Sequence, residues 1–293
     1  MLRIGIPRMF AYYMYPRLWE TFFRELGMEP VVSGPTTIRT VETAAQISES
    51  EHCLPNKLFD AHLAELLPRT DAVFVPRVLS TIRGHLSCPR FGPLPDAARA
   101  DICRETTVLT IDLDESARPL AKSLALLGKQ LIGHKDRVRS AADSALRAME
   151  AAKKERVKPR GTRHDLRFLL VGHPYVIHDD FFAGPLLRKL ATMDVEVDVL
   201  SFSENAPASS YILWSTANQI YHEMTSLSPE EYDGVVQLTV FNCGCDSMMI
   251  DTYRHAMKDK KVPFMYLMID EHPAHSGMDT RVEAFVDSLR WRA

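Results

Sequence analysis

No apolar run in this chain approaches the ~20 residues that a membrane-spanning helix needs. The first residues, Met1-Leu2-Arg3-Ile4-Gly5-Ile6, lack the long apolar core of a secretory signal and read straight into a strand. No excess of one charge exists either. The net charge is −3 and the pI about 6.4, so neither a nucleic acid nor an anionic membrane is expected as a partner. There is no Gly-x-x-x-x-Gly-Lys-Ser/Thr loop and no Gly-x-Gly-x-x-Gly fingerprint. ATP hydrolysis and the usual mode of dinucleotide binding are therefore not expected of this chain. Cysteine is scarce and odd in number, five in 293 residues, which argues against a disulfide framework that a chain of this size does not need. No two cysteines form Cys-x-x-Cys, so the commonest zinc spacing is missing. The expectation is a cytoplasmic protein whose thiols are ligands, nucleophiles or core residues.

What is present is an ordinary globular composition, 46% hydrophobic and 25% charged, which argues against disorder. The length suggests about two domains. Short β-rich runs alternate with segments of helical periodicity. Strands are expected over 2–7, 29–33, 71–76 and 106–111, and helices over 15–26, 38–48, 54–67 and 117–128. An Ala-, Lys- and Arg-rich stretch over 135–158 reads as one long solvated helix, broken by Pro159-Arg160-Gly161-Thr162. The alternation then resumes. Strands are expected over 166–172, 195–200, 234–240 and 262–269, and helices over 181–193, 208–224, 248–258 and 279–289. The fold class is α/β with mainly parallel sheets. Residues 1–130 form one half, 131–162 a helical linker and 163–293 the other half, without a sequence repeat between them.

Three thiols stand at junctions between elements. Cys53 opens a helix with Pro55 in its first turn. Cys88 lies in a loop crowded with breakers, Ser87-Cys88-Pro89-Arg90-Phe91-Gly92-Pro93. Cys243, in Asn242-Cys243-Gly244-Cys245, follows a strand and precedes a helix, where α/β folds place their chemistry and where helix N-termini favour thiolate. A single such cysteine is more often a small buried hydrophobe. Three together suit an iron–sulfur cluster, with zinc as the competing metal. Cys103 is expected in the core. Cys245 is either a further ligand or a bystander.

Other groups stand near these junctions. Gly244 would let a backbone N–H approach a bound group, and Lys57, Arg77 and Arg90 would offset thiolate charge or be exposed surface cations. Glu271 and His272, after the strand ending at 269, are candidate acid–base groups or orient a ligand; a solvated turn is the competing reading. His173-Pro174-Tyr175 lines the same cleft or makes a turn. The aromatic run from Phe10 to Phe23 has helical spacing and belongs to the core.

Several motifs together resemble the iron–sulfur subunits of the 2-hydroxyacyl-CoA dehydratase, benzoyl-CoA reductase and double-cubane cluster protein superfamily. The best match is to its stand-alone branch related to acyl-CoA dehydratase activases. The motifs are Ile4-Gly5-Ile6-Pro7-Arg8, Cys53-Leu54-Pro55 with Lys57, Phe74-Val75-Pro76-Arg77, Cys88-Pro89-Arg90-Phe91 with Leu94-Pro95-Asp96, Gly172-His173-Pro174-Tyr175, Cys243-Gly244, and Ile269-Asp270-Glu271-His272. The resemblance implies two Rossmann-like halves with a 4Fe–4S cluster between them, held by Cys53, Cys88 and Cys243. It implies low-potential electrons from a separate ATP-hydrolysing activator, used in a reductive or dehydration reaction. A homodimer or a related subunit is the further assembly it implies. Cys245 departs from the family pattern, where Pro often follows the Cys-Gly. As a fourth thiolate it would close the iron site and favour a non-catalytic, electron-transferring accessory subunit.

Overall fold

Strand and helix alternate along the chain, and every strand pairing is parallel. The computed structural model describes residues 1–156, 165–202, 207, 209, 211–271 and 276–291. The first half contains β1 (Arg3–Ile6), α1 (Ala11–Met14), α2 (Leu18–Glu25), β2 (Glu29–Val32), α3 (Ile38–Ile47), α4 (Leu54–Leu66), β3 (Ala72–Phe74) and β4 (Arg77–Ser80). It continues with α5 (Leu94–Ala97), β5 (Thr107–Leu109), β6 (Asp112–Asp114), α6 (Leu120–Ile132) and α7 (Lys135–Arg156). The second half contains β7 (Leu166–Val171), α8 (Pro174–Ile177), α9 (Asp180–Thr192), β8 (Val195–Val199), α10 (Ser215–Ser226), β9 (Gly234–Val240), α11 (Gly244–Asp259), β10 (Phe264–Ile269) and α12 (Ser276–Arg290).

Two four-stranded sheets result, ordered β2-β1-β3-β5 and β10-β9-β7-β8, with β4 and β6 as a separate parallel pair. This is the α/β, Rossmann-like class expected from the alternation. In each sheet the first strand lies inside, and the chain winds to one side of it and then to the other. The crevices beyond the C-terminal ends of β1/β3 and of β7/β9 are therefore topological switch points, where open α/β sheets bind ligands. β9 is buried at every residue, as expected of a parallel strand covered on both faces.

Several boundaries differ from the expectations, each for a local reason. The helix expected over 15–26 begins only at Leu18, because Arg17 takes a left-handed conformation, φ 60°, and the short α1 stands before it. The helix expected over 208–224 begins only at Ser215. The one expected over 248–258 begins at Gly244. Short α8, β4 and β6 carry too few residues for a periodic pattern. The breaker Pro159-Arg160-Gly161-Thr162 lies outside the described residues.

The basic stretch after residue 134 is not solvated all round. Val138, Ala141, Ala142, Ala145, Met149 and Ala152 are buried on α7, and the helix packs on α2 and α6. Their spacing of three and four residues makes one apolar stripe, and the alanines let the helices approach closely.

Among the described residues, several hydrogen bonds join the halves. The Leu86 N–H donates to the Leu213 carbonyl at 3.0 Å, and the Ser215 N–H donates to the Leu86 carbonyl at 2.8 Å. Asn242 Nδ2 donates to the Glu51 carbonyl at 3.0 Å. Tyr13 Oη and Thr36 Oγ1 donate to Asp179 Oδ2 at 2.9 and 2.7 Å. Lys57 Nζ reaches Glu271 Oε1 at 2.5 Å. Those of Leu86, Ser215 and Asn242 pin the loops carrying Cys88, Cys53 and Cys243 across the divide.

Candidate metal centre

Each of the three junction cysteines caps a helical turn. Cys53 is the N-cap of α4, Cys88 that of a 3-10 turn over Pro89–Phe91, and Cys243 that of α11. At such a position a thiol faces backbone N–H groups that have no intrahelical partner. Neither the Cys53 nor the Cys88 thiol takes a side-chain cap hydrogen bond, but the Asn56 N–H and the Arg90 N–H each favour the thiolate of the cysteine before them. The early start of α11 places Gly244 and Cys245 in its first turn.

The thiols come together. Cys53 interacts electrostatically with Cys243 and Cys88, and Cys88 with Cys245. Cys53 and Cys88 come from the first half, Cys243 and Cys245 from the second. Burial pushes the Cys53 thiol up to about 11, against the pull of the Asn56 N–H. Cys88 goes the other way, down to about 6, because its interaction with Cys245 and then the Arg90 N–H, His173 and the Arg90 guanidinium outweigh burial. Cys245 goes up, through its interaction with Cys88 first and then through burial.

Aromatic rings enclose the thiols. Tyr175 is buried and interacts with Cys243, Cys88 and Cys53. Burial, and then the three thiols, hold its hydroxyl well above the ordinary tyrosine value. It stacks on His173 with ring centroids 5.1 Å apart and meets Phe10 edge-on at 4.9 Å. Phe10 has φ 46°, a conformation that costs about 1–3 kcal/mol for a residue with a side chain, and it also packs on Phe91 and Phe59. An added Cβ at Gly244 would meet no protein atom within 4 Å.

A buried polar chain lies behind Cys243. His173 Nε2 is 3.9 Å from Cys243 Sγ and 3.3 Å from Asp246 Oδ1. Thr239 Oγ1 donates to Asp246 Oδ2 at 2.6 Å. The ligand atoms of His173, Cys243 and Asp246 lie within 4.8 Å of one another. Burial pulls the imidazole down, but the Asp246 carboxylate and Cys243 outweigh it and hold His173 well above its ordinary value. Burial likewise opposes ionisation of Asp246, yet His173 and Thr239 keep it below the usual carboxylate range. Sequence reasoning missed Asp246 and Thr239. An acid in the first turn of the helix after Cys243, seven residues beyond a threonine in a buried strand, was the available signal.

The other expected residues divide. Arg90 lies near Cys53 and Cys88. Arg77 pairs instead with Asp96 at 2.8 Å and Asp112 at 3.2 Å and donates to the Gly92 carbonyl, so it braces the Cys88 loop. Lys57 is engaged by Glu271, which fixes Glu271 against α4. His272 lies outside the described residues. Cys103 is in the core, as expected, and burial raises its thiol to about 11.

The donor set fits a thiolate-held iron–sulfur group: soft ligands, partly or fully buried, with Arg90 nearby. It does not form a thiol-nucleophile relay. Such a relay needs the base between thiol and carboxylate on opposite ring nitrogens, whereas Nε2 of His173 faces both.

Comparison with known proteins gives one family. The family model described as "CoA enzyme activase uncharacterised domain (DUF2229)" matches residues 3–202. No curated protein matches the chain. Five chains of known structure match. One, described as "Crystal structure of ZnuA", shares 10% identity over 98% of this chain and 97% of that one, with a TM-score of 0.29, too low to carry an argument.

Proposed function

This chain belongs to the family of CoA enzyme activase uncharacterised domains, and we propose that it is an iron–sulfur protein taking low-potential electrons from an ATP-hydrolysing activator. Cys53, Cys88 and Cys243 would hold a 4Fe–4S cluster for a reductive or dehydration reaction. The observation that carries this reading is that thiols from both halves interact electrostatically with one another. When bound, the cluster supplies low-potential one-electron transfer. The chain's own residues do the rest. The N-cap positions orient the three sulfurs. Phe10, Phe91 and Tyr175 exclude water. Glu271, held by Lys57, is the group positioned to move a proton at the mouth of the pocket. A second copy or a related subunit is the assembly partner in this reading.

A second reading is favoured by one specific contact. Cys245 interacts with Cys88 and Cys243, so a fourth thiol stands beside the three. With Cys245 bound to iron, no position remains for substrate, and the chain serves as an electron-transfer accessory. Anaerobic reconstitution of wild type and Cys245→Ser, followed by metal and sulfide analysis and electron paramagnetic resonance, tests both. A spectrum unchanged by Cys245→Ser supports the catalytic reading; an altered one supports the accessory. A colourless protein holding only zinc, on Cys243, His173 and Asp246, removes both.

A further inference from the structure

We propose that His173 is a positioning residue for Cys243, its Nε2–H shared between the Asp246 carboxylate and the Cys243 sulfur, and that this donation sets how readily a centre bound at Cys243 accepts an electron. The inference rests on the cluster reading above and names a control element within the same site.

The proton can be placed on one nitrogen. Asp246 is 2% exposed and receives the Thr239 hydroxyl on Oδ2. Its other oxygen, Oδ1, faces His173 Nε2 at 3.3 Å. An ionised carboxylate only accepts, so Nε2 must carry the hydrogen. The same nitrogen lies 3.9 Å from Cys243 Sγ, within reach of a long N–H···S contact. Nδ1 is buried without a partner, so the imidazole passes no proton through to a second group. It offers one N–H to two acceptors.

The ring is held for this task. His173 is 4% exposed, stacks on Tyr175 at an interplanar angle of 16°, and is the N-cap of α8 without capping it through its side chain. Gly172, just before it, leaves no room for movement: an added Cβ would lie 2.5 Å from the Leu238 carbonyl oxygen. Thr239, at the end of β9, anchors Asp246 in the first turn of α11. Donation to a ligating sulfur withdraws negative charge from it and favours the reduced state of the centre. Losing the donor therefore lowers the potential without removing a ligand.

The test uses the full chain, reconstituted anaerobically, as wild type and as His173→Phe, His173→Asn and His173→Gln. Phe retains the stack on Tyr175 but has no donor. Asn is at home at an N-cap but is too short to reach the sulfur. Gln restores a donor of similar reach. The readouts are iron content and the midpoint potential from a redox titration followed by electron paramagnetic resonance. The expected result is full iron loading in all four, with the reduced-to-oxidised ratio at a fixed potential falling about tenfold in Phe and Asn, which is about 59 mV for one electron, and partial recovery in Gln. Equal potentials in four iron-loaded proteins overturn the role of His173 and leave the cluster reading intact. Loss of iron in a folded Phe or Asn variant makes His173 a ligand and also overturns it. Failure of wild type to take up iron overturns the cluster reading and this inference with it. If Phe fails to fold, Asn decides alone.

Discussion

A single glycine shows how tightly the second sheet's crevice is set. Gly172 joins β7 to the turn carrying His173, with φ 159°, and an added Cβ would also stand 2.8 Å from Ile177 Cγ2. Backbone on one side and a buried side chain on the other leave no cheap relief. Gly172→Ala should lower stability by about 1–3 kcal/mol, the usual cost of overpacking, read as a shift of the urea midpoint. An unchanged midpoint would mean that the turn relaxes freely. Another residue-scale case is His62. It is 0% exposed, lies 3.2 Å from Thr36 Oγ1, and is depressed by burial to about 4. Its folded value lies below its unfolded value near 6.5. The unfolded chain therefore takes up the proton first as pH falls, and the associated stability is present above 6.5 and lost down to about 4. Relative to His62→Gln, wild type should lose about 1.4 kcal/mol per pH unit across that window, measured by urea unfolding at several pH values. Parallel curves for the two proteins would contradict this assignment.

At the scale of elements, α7 carries the clearest lesson. Its sequence has seven cations in its 22 residues, and charge of that density reads as a solvated surface. The decisive feature is the position of its small residues: Ala141 and Ala145, 1% and 0% exposed, are covered by neighbouring helices. Ala145→Leu should destabilise the chain by about 1–3 kcal/mol through overpacking, whereas a solvated helix would tolerate it within about 0.5 kcal/mol; thermal unfolding distinguishes the two. Much of the rest was legible. Continuous apolar runs gave β7 and β9, and Pro55 marked the start of α4. Cys243 was recognisable at a strand end, but α11 begins four residues before its periodic apolar pattern, so the N-cap role of Cys243 and the first-turn place of Asp246 were hidden. Three-residue strands such as β6 fall below the length at which alternation can be counted.

At the scale of the molecule, the contacts between halves are long-range and invisible to any local pattern. Asp179 illustrates this. It caps α9 by accepting from the Phe181 N–H at 2.8 Å, and it receives Tyr13 and Thr36 from the other half. Burial raises its carboxyl above the ordinary value, against the pull of these donors. Asp179→Ala leaves two buried hydroxyls without their acceptor and should cost about 2–4 kcal/mol in unfolding free energy. A loss below about 0.5 kcal/mol would show that the halves are held without this clasp. The same closure brings cysteines 190 residues apart, Cys53 and Cys243, into electrostatic range of each other. Among the described residues no helix is long and apolar enough to cross a membrane.

The central claim is that Cys53, Cys88 and Cys243 form one ligand set. It is tested most directly by iron and acid-labile sulfide content after anaerobic reconstitution of wild type, the three single Cys→Ala variants and Cys103→Ala. The account predicts about four iron and four sulfide per wild-type chain, the same for Cys103→Ala, and loss of most of both in each of the other three. Iron-free wild type, or iron retained in full by any of those three variants, would contradict it.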